Sequence, residues 1–121
     1  MNRLAFTLPN FGLMELREIE GIVWMEDGFL VIEIKHKLIG LLDEESSTVQ
    51  IEPSALRDIY LKKGFFKDRM VLVPKKRELL EVIPGKHVND VKLRIWRTKR
   101  SEIRDFIEEF REVQWDLLAE E

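Results

Sequence analysis

Two hydrophobic periods divide the chain. Up to about Arg97 the apolar residues fall in short β-type runs separated by turn residues, and beyond it they recur at helical spacing. Glu20 to Met25 (E-G-I-V-W-M) and Phe29 to Ile39 (F-L-V-I-E-I-K-H-K-L-I) flank Glu26-Asp27-Gly28. Asp-Gly between two apolar runs predicts a hairpin, because the favoured two-residue turn needs positive φ at both central positions. Thr48 to Ile51 is a third run, closed by Pro53. Leu56 to Lys62 alternates Ile59 and Leu61 against Asp58, Tyr60 and Lys62, then turns around Gly64. Arg69 to Val73 stops at Pro74, which has no N–H to give to a ladder. Leu79 to Ile83 ends at Pro84-Gly85, a turn dipeptide. Val91 to Trp96 sends Val91, Leu93 and Ile95 inward and Lys92, Arg94 and Trp96 outward. Seven strands are predicted.

From Ser101 the period changes. Ile103, Phe106, Ile107, Phe110 and Leu117 form one stripe of an amphipathic helix over about 101–118, with Ser101 as N-cap and Glu102 and Asp105 at the positive end of the dipole. One apolar stripe has to be buried, and the only apolar surface on offer is the sheet. A single helix cannot cover seven strands lying flat. The expected solution is a strongly bent antiparallel sheet or partly open barrel whose open end the helix plugs.

The stretch I-E-P-S-A-L-R-D-I-Y-L-K-K-G (Ile51 to Gly64), then V-L-V-P, then V-K-L-R-I-W-R running directly into the helix, resembles the pleckstrin-homology-like family, specifically its small bacterial members. The likeness covers roughly Ile19 to Leu118 and rests on hydrophobic spacing. It implies a mainly β fold, PH-like, capped by one C-terminal helix. In members that bind phosphoinositides, Lys and Arg around the loop between the first two strands hold the headgroup. With Glu26-Asp27-Gly28 taken as that loop, two carboxylates repel a phosphorylated headgroup, and this ligand site does not carry over. Such proteins also tend to keep a tryptophan on the helix face against the barrel. Trp115 lies about 120° from Ile103 at about 100° per residue, so Phe106 and Phe110 are expected in its place.

Length and composition set bounds on this picture. The chain has 121 residues, 45% apolar and 36% charged, which suits one folded domain over 1–121. It has no cysteine, so disulfide, thiol and thiolate-metal chemistry are excluded. The N-terminus shows no export signal, and no window approaches the roughly 20 apolar residues that cross a bilayer, which points to the cytoplasm. Net charge is −3 but unevenly placed: Glu15 to Glu52 and Ser101 to Glu121 are acidic, while Arg57 to Arg100 is basic. That argues against a broad nucleic-acid footprint and leaves room for a local basic face.

Enzyme chemistry finds little footing. His36 and His87 lack metal-ligand spacing and read as exposed, idle histidines. No acid pair stands in an apolar setting, Asp43-Glu44-Glu45-Ser46-Ser47 reads as a solvated loop, the glycines are scattered singly, and Ser54 has no nucleophile-elbow context. No catalytic residue, metal site or cofactor is assigned.

What remains is basic and aromatic. Residues 62 to 69 read K-K-G-F-F-K-D-R. In an extended chain Phe65 and Phe66 point to opposite faces. Either one enters the core while the other packs under a loop, or one is exposed among Lys62, Lys63, Lys67 and Arg69 as a membrane-docking tip. Lys75-Lys76-Arg77 reads as a solvated hairpin loop. Arg94, Trp96 and Arg97, with Lys99 and Arg100, form a further cluster that either stacks a base or pairs with acids such as Glu20 and Glu33. Trp24, Val31 and Trp96 suggest that another chain covers part of the outer sheet face. The expected function is a non-catalytic protein-interaction module with self-association. The alternative is peripheral binding of anionic lipid through 62–69, with single-stranded nucleic acid on Arg94, Trp96 and Arg97 a weaker third.

Overall fold

A computed structural model describes residues 3–8, 17–38, 44–83 and 87–119, with backbone alone at 17–18, 36–38 and 44–45. The elements are β1 (Leu4–Leu8), β2 (Arg17–Glu26), β3 (Phe29–Leu38), β4 (Glu44–Ile51), β5 (Leu56–Lys62), β6 (Lys67–Pro74), α1 (Glu78–Val82), β7 (Val91–Trp96) and α2 (Arg100–Ala119). The strands form one antiparallel sheet in the order β4-β3-β2-β1-β7-β6-β5, open between β4 and β5, with α2 as the C-terminal helix. This is the mainly β, PH-like architecture expected of the chain.

The count of seven holds, but its membership changes. Leu79 to Ile83 is not a strand. It lies in the helical turn α1 and the residue after it, which sets Leu80 and Ile83, three positions apart, into the core. A strand would have turned Glu81 to the same side as Leu79 and Ile83. The seventh strand is Leu4–Leu8, where Leu4, Phe6 and Leu8 face inward and Ala5 and Thr7 outward. Glu44–Ser47 also belongs to a strand rather than a loop, extending the run at Thr48 backwards. The Asp27-Gly28 turn forms as predicted, with φ of 51° and 82°. However, it joins β2 to β3. The first two strands are joined instead through residues 9–16, outside the described residues, so Glu26-Asp27-Gly28 does not hold the position expected of the headgroup loop.

One core joins every strand to α2. Val23, Leu30, Ile51, Leu56, Ile59, Met70, Leu72 and Leu93 meet Ile103, Phe106, Ile107 and Phe110 from the helix. Ile51 of β4 and Leu56 and Ile59 of β5, the two end strands, belong to the same buried cluster as the helix stripe, so the sheet curls. Phe106 and Phe110 are fully buried, as expected, and truncating either to Ala removes about 3–5 kcal/mol. The stripe ends early: Leu117 is exposed, and so is Trp115. Ser101 lies inside α2, because a 3-10 turn over Arg97–Lys99 leads into the helix one residue sooner. Gly21 lies opposite Phe6, and a Cβ there would meet the Phe6 ring and the Glu33 carbonyl, so only glycine lets the ring lie across β2.

Helix α2 also closes one edge of the sheet. Arg111 donates to the Ile59 carbonyl at 3.0 Å, Gln114 donates to the carbonyls of Leu56 at 3.1 Å and Pro53 at 3.0 Å, and the Ile59 N–H donates to the Asp58 carboxylate at 2.8 Å. Backbone groups of β5 that have no neighbouring strand are satisfied by side chains instead.

Candidate functional site

The alternation of β5, β6 and β7 builds the site. Inward positions of β6 and β7 (Met70, Leu72, Leu93, Ile95) fill the core, so Arg69 and Arg94 are turned to the outer face. Cross-strand registry then aligns one polar row over six strands: Lys35 opposite Glu20, Glu20 opposite Thr7, Thr7 opposite Arg94, Arg94 opposite Arg69, and Arg69 opposite Lys62. The last three members are cations on neighbouring strands. Like charges directly opposite one another destabilise a sheet. Among the described residues, Lys62, Lys63, Arg69, Arg94 and Arg97 have no carboxylate within ion-pairing distance.

The hairpin tip between β5 and β6 adjoins this row. Phe65 is 76% exposed and Phe66 70%. Their rings meet edge to face, 4.5 Å between centroids at 89°. The expectation that one of them enters the core fails, because the chain bends at Phe65 and Phe66 and the rule of opposite faces no longer applies. Lys67 lies opposite Trp96, places its ammonium 4.7 Å from the indole centroid and donates to the Thr7 hydroxyl at 3.2 Å. Trp96 is 59% exposed, and together with Gly64, Phe65, Phe66, Lys67, Arg69 and Arg94 it lines a shallow depression. Two clusters separated by some thirty positions in the sequence are therefore one surface: Phe65, Phe66 and Trp96 among Lys62, Lys63, Lys67, Arg69, Arg94 and Arg97.

What holds this tip rigid is a residue that the sequence reading passed over. Asp68 follows the inward alternation of Met70 and Leu72 and is wholly buried. Its carboxylate accepts two bonds from the Arg100 guanidinium, Nε at 2.7 Å and Nη2 at 2.8 Å, and one from the Gly64 N–H at 3.0 Å. The Arg100 hydrogen bonds hold its pKa at about 2 against the opposing pull of burial, with the Gly64 N–H assisting. The same pairing raises the pKa of Arg100. In addition, the Arg97 N–H donates to the Phe66 carbonyl at 3.1 Å. One carboxylate thus ties the hairpin turn, the start of β6 and the start of α2 together. The signal for it was the even-numbered inward face of β6, which makes D in K-D-R a core position.

Other expectations resolve as follows. The acid that pairs with Arg100 is Asp68, not one on β2 or β3. Trp24 and Val31 are buried within the chain itself. The Arg3 guanidinium lies 4.5 Å from the Trp24 ring centroid, and the indole N–H donates to Glu26 at 3.3 Å. That part of the outer face therefore needs no second chain to cover it. Lys75-Lys76-Arg77 leads into α1 rather than forming a hairpin loop. His87 is half-buried and engaged, and the His36 side chain lies outside the described residues. No helix among the described residues is long and apolar enough to cross a membrane.

The fold and this surface define a PH-like sheet-and-helix body with an exposed basic and aromatic tip. In comparisons with known proteins, the chain matches no family model, no curated protein and no solved structure.

Proposed function

We propose that this is a non-catalytic module that docks on anionic lipid surfaces through the β5–β6 hairpin. The observation that carries this reading is the joint exposure of Phe65 and Phe66 on a turn held by Asp68, beside Lys67, Arg69 and Arg94 in one depression. Lys62 lies opposite Arg69, and Lys63 and Arg97 are next to the site along the chain. Each cation near an anionic surface contributes about 1 kcal/mol. Lys62, Lys63, Lys67 and Arg69 alone make a weak anchor. Adding Arg94 and Arg97 raises the electrostatic part to about 6 kcal/mol at most. Two inserted phenylalanines and Trp96 at the interface add the apolar component that one signal lacks. Edge-to-face packing keeps both rings together, so no ordering step precedes insertion.

Single-stranded nucleic acid is the weaker reading. One face of the Trp96 indole is already occupied by Lys67, and the two phenylalanine rings pack on each other rather than standing apart as platforms. The test is co-sedimentation with phosphatidylcholine vesicles, with and without phosphatidylserine. The wild-type chain is expected to sediment only with the anionic vesicles and to be released by salt. Phe65→Ser with Phe66→Ser, and Lys62→Glu with Lys63→Glu, are each expected to abolish sedimentation while leaving the circular dichroism unchanged. Undiminished sedimentation of the charge-reversed variant refutes the reading, as does salt-dependent retention of labelled RNA without any vesicle binding.

A further inference from the structure

The two end strands of the sheet are treated differently. The β5 edge is satisfied by Arg111, Gln114 and Asp58. β4, at the other end, pairs with β3 in unbroken register from Leu30 opposite Ile51 to Lys37 opposite Glu44, and among the described residues nothing bonds to its far side. Its run S-S-T-V-Q (Ser46 to Gln50) has none of the devices that blunt a free edge: no proline, no lysine, no bulge. Ser46, Ser47, Thr48 and Gln50 are exposed. An eight-residue strand with a row of open N–H and C=O groups is a template for one more strand.

We propose that β4 is a self-association edge and that its occupant is the β4 of a second copy, antiparallel across a two-fold axis. Among the described residues, each chain has one open edge and one guarded edge. Pairing the open edges of two copies gives a continuous sheet bounded at both ends by β5, and no open edge remains. Charge permits it. Centred on Ser47, the pairing sets Ser46 against Thr48, Glu45 against Val49 and Glu44 against Gln50, so no carboxylate meets a carboxylate. It also keeps both cores on the same side of the joined sheet. A head-to-tail contact would have to pair β4 with a β5 edge that α2 already occupies. This inference is independent of lipid binding and is tested without vesicles.

The measurement is mass by light scattering over a concentration series. The wild-type chain is expected to reach twice 14.4 kDa as concentration rises. Ser46→Lys with Thr48→Lys, both at exposed positions, is expected to stay at the single-chain mass, because it sets ammonium groups along both facing strands. A second readout needs no variant: amide exchange of residues 46–50 in the wild type is expected to slow as the dimer forms. A wild-type chain that stays monomeric up to roughly 1 mM, weaker than any specific pairing of use in a cell, overturns the proposal. So does a mass beyond the dimer, a double-lysine variant that still dimerises, or exchange at 46–50 that ignores concentration.

Discussion

The Asp68–Arg100 pair offers the sharpest test of how this fold is held. The two partners are not equivalent: Asp68 is shut off from solvent, while the Arg100 side chain keeps 30% exposure. Replacing Asp68 with Asn removes the charge and keeps the shape. Asn keeps one acceptor oxygen and turns the other into a donor, so at least one Arg100 bond is lost together with the charge, and Arg100 can turn to water. The ordinary carboxylate value of 3.8 against about 2 in the fold amounts to about 2 kcal/mol, at about 1.4 kcal/mol per tenfold change in proton affinity. Replacing Arg100 with Met strands a buried carboxylate with the Gly64 N–H alone, which costs about 3–5 kcal/mol. Arg100→Met is therefore expected to destabilise more than Asp68→Asn at pH 7, as measured by urea unfolding. The dependence on pH follows from the lowered value. The Asp68 contribution is complete above the unfolded value of 3.8 and disappears as pH falls from there through about 2. Over that window the wild-type advantage over Asp68→Asn should shrink toward zero. If Asp68→Asn loses less than about 0.5 kcal/mol at pH 7, the ordinary spread of surface substitutions, or if the gap between the two proteins is unchanged down to pH 2, the pinning argument is wrong.

Two further outcomes follow from the same geometry. Arg94→Glu replaces a cation directly opposite Arg69 with a carboxylate, so stability should rise by up to about 1 kcal/mol in urea unfolding while anionic-vesicle sedimentation falls, since the like-charge row serves binding and not folding. Gly21→Ala sets a methyl group against the Phe6 ring and the Glu33 carbonyl, the latter at 2.5 Å; a loss of about 3 kcal/mol in thermal unfolding is expected, and Gly21→Ala together with Phe6→Leu should recover part of it.

The hairpins and the helix were written locally. Asp27-Gly28, the alternation of Val91 to Trp96 and the spacing of Ile103, Phe106, Ile107 and Phe110 each specify an element through steric rules that act within a few residues, and all three formed as read. Short segments without a distinctive period escaped this logic. Glu44–Ser47 has no strand signal of its own and is strand because β3 lies beside it, while Leu79 to Ile83 suits either period and was decided by which side chains the core could take.

The site was legible only in part. Its residue types stand out in the sequence, since K-K-G-F-F-K and R-I-W-R are visible as basic and aromatic. That they form one surface depends on the registry of β6 with β7, a contact between segments far apart in the chain, which no local pattern encodes. Whether Phe65 and Phe66 point in or out was likewise settled by the turn that Gly64 and Asp68 hold together. Local sterics and hydrophobic spacing chose the elements. Long-range pairing, and the burial of one carboxylate that had to find its arginine, chose what those elements present to solvent.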